Sequence, residues 1–151
     1  MQGIRCTLPA LLCAPLVALV SAPASAVALH GLKNSQLDDI YGTYAPRDEC
    51  AREPKITVDD SGMTFMHGGK STHSGTVEYA ITYMGPDYQG IGHVIFPFPV
   101  TEDDVGRVMM TFNAGEKRGA LAVESNLAPG QSFSPLQAAL VKHSPYAKCR
   151  A

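Results

Sequence analysis

The chain has 151 residues, with 12 Lys and Arg against 14 Asp and Glu, a formal charge of −2 and 45% hydrophobic residues. This near-neutral balance argues against nucleic acid as a partner, because phosphate binding needs a clustered cationic face. Arg47, Arg52 and Lys55 come nearest to a basic run, but Asp48, Glu49 and Glu53 are interleaved with them.

Residues 1–26 have the three zones of a cleavable secretory signal peptide: a basic start ending in Arg5, an apolar run over 8–20, and a small-residue exit over 21–26. Signal peptidase requires small side chains one and three residues before the cut, so Ala24 and Ala26 predict cleavage between Ala26 and Val27. A spanning helix needs about 20 apolar residues, and this run is shorter and broken by Pro9 and Pro15. Cys13 follows the bulky Leu11 and Leu12, which argues against a lipid anchor. The mature chain, 27–151, is therefore expected to be a single domain without a membrane anchor, in the periplasm or secreted.

Cleavage removes Cys6 and Cys13 and leaves Cys50 and Cys149. Two cysteines in an oxidising compartment predict one disulfide, and closing a loop of about 100 residues stabilises by up to about 4.7 kcal/mol in the chain-entropy estimate. Their separation, with no second ligand at a fixed spacing from either, disfavours a metal pair or a reactive thiol.

In chain order, residues 27–34 read as a loose leader, and 35–40 as a short N-terminal helix capped by Ser35, with Asp38 three residues on. Residues 41–45 have strand composition and Pro46 ends them. Residues 55–59 and 63–67 flank Asp60-Ser61-Gly62 as a hairpin. The clearest alternation places Val77, Tyr79, Ile81 and Tyr83 on one face. A turn at Gly85-Pro86-Asp87 leads into 90–96, which Pro97 marks as an edge strand or one ending at Phe96. Residues 108–112 and 120–124 read as a second hairpin, and Ser134 with Pro135 opens a C-terminal helix over 135–142. The expected fold is mainly β with minor α: a small antiparallel sheet or barrel of six to seven strands, with a short N-terminal and a C-terminal helix.

No catalytic, metal or cofactor motif stands out. Gly68-Gly69-Lys70-Ser71-Thr72 resembles the end of a phosphate-binding P-loop, but Thr64 stands where the first glycine belongs and His73-Ser74-Gly75 breaks any following helix. It reads as a polar hairpin turn. His67 and His73 bracket it without a third ligand at a motif spacing. Asp59 with Asp60, and Glu102-Asp103-Asp104, read as turn and loop acids. His93, set in an apolar strand, is the first suspect as a base in any dispersed catalytic site. Tyr79, Tyr83, Phe96 and Phe98 are aromatic enough to line a cavity for an apolar ligand if the sheet curls.

The segment Tyr41-Gly42-Thr43-Tyr44-Ala45-Pro46 leading to Cys50 and Pro54, with Ile56-Thr57-Val58 and Tyr83-Met84-Gly85-Pro86, resembles uncharacterised small exported proteins of Gram-negative bacteria. The likeness spans most of the mature chain and implies a periplasmic protein, without bringing an activity or site residues. Size and expected architecture are also similar to periplasmic inhibitors of lysozymes or proteases and to lipocalin-like carriers, at the level of fold alone. The function expected is a non-catalytic module docking on or inhibiting another exported protein, with Arg47, Asp48, Glu49 and Arg52 of the Cys50 loop facing the partner. A carrier of a small apolar ligand is the alternative, and a hydrolase with a dispersed site the third. Expressed in a Gram-negative host and recovered from its periplasm, the chain should begin at Val27 by intact mass and N-terminal sequencing; a product beginning at Met1 contradicts the export reading.

Overall fold

Alternating apolar residues and short turn sequences set nearly half of the described residues into strands, in a computed structural model that describes residues 25–47, 49–81, 89–98 and 107–150. Ten strands form one sheet: β1 Ser25–His30, β2 Gly42–Pro46, β3 Lys55–Asp59, β4 Gly62–His67, β5 Lys70–Ser74, β6 Thr76–Ile81, β7 His93–Phe96, β8 Val108–Phe112, β9 Ala120–Ser125 and β10 Tyr146–Lys148. One α-helix, α1, spans Pro135–Lys142. The spatial order is β1-β6-β7-β8-β9-β10-β2-β3-β4-β5, with every neighbouring pair antiparallel.

This order resolves into two meanders of consecutive strands, β2 to β5 and β6 to β9, with β10 inserted between them and β1 added outside β6. The sheet curls into a half-barrel. Its curl follows from connectivity, because Gly75 alone separates β5, at one edge, from β6, next to the other. The chain leaving β1 ties the same corner, where Gly31 N–H donates to Gly75 O (2.6 Å) and Leu32 N–H to Asp60 O (2.9 Å).

Residues directly paired across strands share a face, and the buried face reads straight off the register. One row crosses the sheet as Phe112, Leu121, Tyr146 and Pro46, and another as Tyr44, Ile56 and Phe65, all of them buried. The Tyr44 and Phe112 rings meet edge to face at 5.3 Å, a geometry that aligns the positive edge of one ring with the negative face of the other. Three tyrosine hydroxyls tie neighbouring segments together through backbone carbonyls: Tyr41 donates to Leu32 O, Tyr44 to Ile40 O and Tyr146 to Leu140 O, at the helix described next. Burial, then Asp60 beside it, pushes the Tyr41 hydroxyl up to about 12, and burial raises Tyr44 and Tyr146 as well.

Helix α1 forms as its sequence predicts, with Ser134 Oγ accepting from Gln137 N–H (3.3 Å) and Gln137 Oε1 accepting from Ser134 N–H (2.8 Å). This reciprocal pair satisfies two otherwise unpartnered helix-end donors. The two-residue loop Gly68-Gly69 between β4 and β5 has φ of 60° and 71°, the left-handed pair that the favoured hairpin turn requires.

Three expectations are corrected. The sheet has ten strands, not six or seven, since β1, β5 and β10 join it; β5 is polar throughout and β10 only three residues long, so neither carries an apolar alternation. The N-terminal helix over 35–40 is only a 3-10 turn at Asp38–Ile40, because Asn34 and Gln36 take left-handed φ of 64° and 62° and the Ser35 hydroxyl donates to Leu32 O rather than capping. The first half of the leader over 27–34 lies in β1, paired from Ser25↔Ile81 to His30↔Thr76, so the expected cut falls after the second residue of that strand. Of the two alternatives for 90–96 the second holds, since β7 ends at Phe96 and lies between β6 and β8.

Cys50 and Cys149 form the expected disulfide, with Cα atoms 5.8 Å apart. Replacing both, Cys50→Ser with Cys149→Ser, should lower the unfolding free energy by about 2–5 kcal/mol. It should also speed amide exchange in β10 before β8; an unchanged denaturation midpoint contradicts that role.

Candidate binding surface at the disulfide end

The loop from β2 to β3 leaves Pro46 through Arg47, held at φ 53°. Glu49 N–H donates to Pro46 O (3.0 Å) and Arg52 N–H to Glu49 O (2.7 Å), folding the loop on itself ahead of Cys50 and behind it. The Arg52 guanidinium pairs with Glu49 at 3.2 Å, both ends roughly half exposed, so this pair adds little stability. Asp48, expected to face a partner with these three, lies outside the described residues.

Across from this loop stands the end of α1. Pro46, Arg47 and Arg52 together with Lys142, His143 and Ser144 line a cleft of about 230 Å³. A larger cleft of about 710 Å³ lies between the β8–β9 connection and the C-terminal segment. Lys117, Arg118, Lys148 and Arg150 line it, with Asp39 as its single acid and Tyr146, Ala147 and Cys149 in its wall. Residues 142–144 line the smaller cleft and 145–150 the larger, so successive parts of the C-terminal segment serve both.

Asp39 is held by several groups. Asn113 Nδ2 donates to its Oδ2 (2.9 Å), His93 Nε2 lies 3.4 Å from Oδ1, and Arg118 Nη1 lies 3.9 Å from Oδ2. Lys148 Nζ donates to the Asp39 backbone oxygen (3.1 Å). Asn113, only 1% exposed and left-handed at φ 52°, also donates to Ile91 O (2.8 Å) and accepts from Gly119 N–H (3.0 Å). It therefore joins the Asp38–Ile40 turn, the approach to β7 and the end of the β8–β9 connection.

His93, the suspected base, faces the core side in the row of Phe112. One of its ring nitrogens meets Asp39 and the other the Tyr79 hydroxyl at 3.3 Å. With both nitrogens engaged, it links neighbouring elements, and a proton-transfer role would require breaking one contact.

Of the four aromatic residues expected around a ligand, the three described ones do not share one cavity. Tyr79 pairs with Ile95 on the core side, whereas Phe96 pairs with Glu78 and takes the opposite face. Phe98 packs on Phe65 with ring centroids 5.1 Å apart and lines a separate cleft of about 450 Å³ with Leu136, Pro135, Thr72, His67 and Lys70. Tyr83 lies outside the described residues, as do residues 102–104. His67 pairs with Lys70 while His73 pairs with Thr64, accepting or donating at 3.0 Å, so the two histidines occupy different rungs of the hairpin. The Gly69 amide donates to Glu53 (3.2 Å). Among the described residues no three His, Cys, Asp or Glu converge as metal ligands, and no helix is long and apolar enough to cross a membrane.

Sequence reading missed the basic residues brought to the Cys50 loop by the C-terminus. A cue existed: no Asp or Glu follows Glu124, while Lys142, His143, Lys148 and Arg150 do. Comparison with protein-family models, curated proteins and solved structures finds no match to this chain.

Asn113→Ala should cost about 1–3 kcal/mol, because it strips a buried carbonyl and a carboxylate of their donor. Asn113→Asp sets a second carboxylate against Asp39, so its instability at neutral pH should ease as pH falls through the carboxylate range. Urea denaturation at pH 7 and pH 4 reads both; equal stability of Asn113→Asp relative to wild type at the two pH values contradicts the account.

Proposed function

We propose that the chain is an exported, non-catalytic module that docks on another exported protein through its disulfide end. One observation carries this reading: the Cys50–Cys149 bond fixes an exposed loop against the C-terminal segment, so that Arg47 and Arg52 face Lys142 and His143 across one cleft. An exposed loop held by a covalent staple binds with little ordering cost, which favours recognition over catalysis. The disulfide fits an oxidising compartment, in keeping with the export features of residues 1–26. The engagement of both His93 nitrogens argues in the same direction against the dispersed hydrolase.

A second reading, a carrier of a small apolar ligand, draws on the cleft at Phe98, Leu136 and Pro135, whose volume of about 450 Å³ suits a small ligand. Native mass spectrometry of the purified protein separates the two, since a carrier retains added mass.

The docking reading is tested by placing a photo-crosslinking residue at Glu49 in the exported, disulfide-bonded chain. One discrete adduct is expected, reduced by Arg47→Glu with Arg52→Glu and absent when the crosslinker replaces Glu124 instead. No adduct from the loop, or one indifferent to the reversal, contradicts it.

A further inference from the structure

Charge is unevenly placed on this molecule. Of the eleven Lys and Arg among the described residues, seven line the two clefts at the disulfide end, while of the nine Asp and Glu only Asp39 does. The smaller cleft is the less one-sided of the two, since Glu49 pairs with Arg52, and Asp48 and Glu53 neighbour them in sequence. The larger cleft is the clear case. Its single acid, Asp39, is already engaged by Asn113, His93 and Arg118, and Lys148 spends its ammonium on a neutral backbone oxygen. Lys117 and Arg150 have no ion-pair partner among the described residues. The cleft thus presents several cations whose charge the described chain does not neutralise.

From this we infer that the partner inserts an acidic, extended polypeptide segment into the cleft between Lys117-Arg118 and Lys148-Arg150. The inference rests on the docking reading and deepens it by naming the chemistry of the partner. Three features fit this occupant. At about 710 Å³ the cleft is far larger than a single small anion needs and lies in the range of sites that enclose whole ligand groups. Lys148 ends β10 and Arg150 stands two residues on, which sets two cations near one another where an extended acidic segment would present alternate carboxylates at roughly 6.6 Å. Cys149, in the wall of this cleft, is bonded to Cys50, so a protein seated over the Cys50 loop lies beside this groove. Charge complementarity of this kind acts mainly on association rate and partner choice, and it weakens with salt.

The test uses the mature, disulfide-bonded chain and a fluorescent eight-residue peptide of alternating Glu and Ala, with a Gln-Ala peptide as the neutral control. Binding of the acidic peptide alone is expected, falling with added salt and weakening about tenfold in Lys117→Glu with Arg150→Glu, two exposed charge reversals. The milder Lys117→Gln with Arg150→Gln should weaken it less, and Lys33→Glu with Lys55→Glu, outside the cleft, should leave it unchanged. Circular dichroism of each variant verifies the fold. Equal binding of the neutral peptide, indifference to the cleft variants, or tighter binding of inorganic polyphosphate than of the acidic peptide overturns the inference. The two readings fail separately: a Glu49 adduct that survives the cleft reversal while the peptide does not bind sinks this one alone, and a peptide that binds without any loop adduct sinks the docking reading alone.

Discussion

The three residues of β10 hold this fold together. Tyr146 pairs with Leu121 of one meander and with Pro46 of the other, so the continuity of the sheet depends on a strand of one residue triplet. The ladder extends by two bonds at its end, Lys148 N–H to Gly119 O (2.8 Å) and Cys149 N–H to Thr43 O (2.7 Å). So short a strand, last in sequence, must close against partners about 25 and 100 residues away, and loop-closure entropy opposes that. The Cys50–Cys149 bond removes much of this entropy from the unfolded chain, and the Tyr146 hydroxyl ties the same strand back to α1 at Leu140.

Legibility of the fold from sequence followed burial on one face. The hairpin of β8 and β9 was readable to within a residue because Val108, Met110 and Phe112 alternate with half-buried neighbours and a polar turn separates the strands. The helix was readable because its cap is written locally in Ser134, Pro135 and Gln137. What escaped was made by tertiary pairing. The polar β5 acquires its strand conformation from β4 alone, and β1 is a short run of small residues laid along β6. Ser35 offered a plausible cap, yet left-handed Asn34 and Gln36 redirected the chain so that Leu32, Leu37 and Ile40 could all be buried.

The disulfide end was legible in part for the same reason. The cysteine pair could be read by elimination, and with it the proximity of the Cys50 loop to the C-terminus. The contributions of Lys117, Arg118 and Asp39 could not, since they depend on the position of the β8–β9 connection relative to a 3-10 turn about 75 residues earlier. Asn113 sets that position: its amide spans Asp39 and Ile91 while its oxygen receives Gly119. A buried amide of this kind stabilises only when fully partnered, which makes the local geometry of the larger cleft a consequence of one satisfied side chain.

Closure of the sheet and assembly of the basic surface are one event. Cys149 lies between Lys148 and Arg150 and is bonded to Cys50, in the loop of Arg47 and the Arg52–Glu49 pair, so the bond that secures β10 also brings the C-terminal cations to that loop. Like charges brought together repel, and each cation would otherwise be better solvated apart. A fold that gathers them at its covalent staple holds that repulsion in place by the staple and the β10 pairings. The acidic partner proposed above would relieve it, so binding and the integrity of the disulfide end should reinforce one another. Because the staple forms under oxidising conditions, the surface is completed only where thiols are not kept reduced.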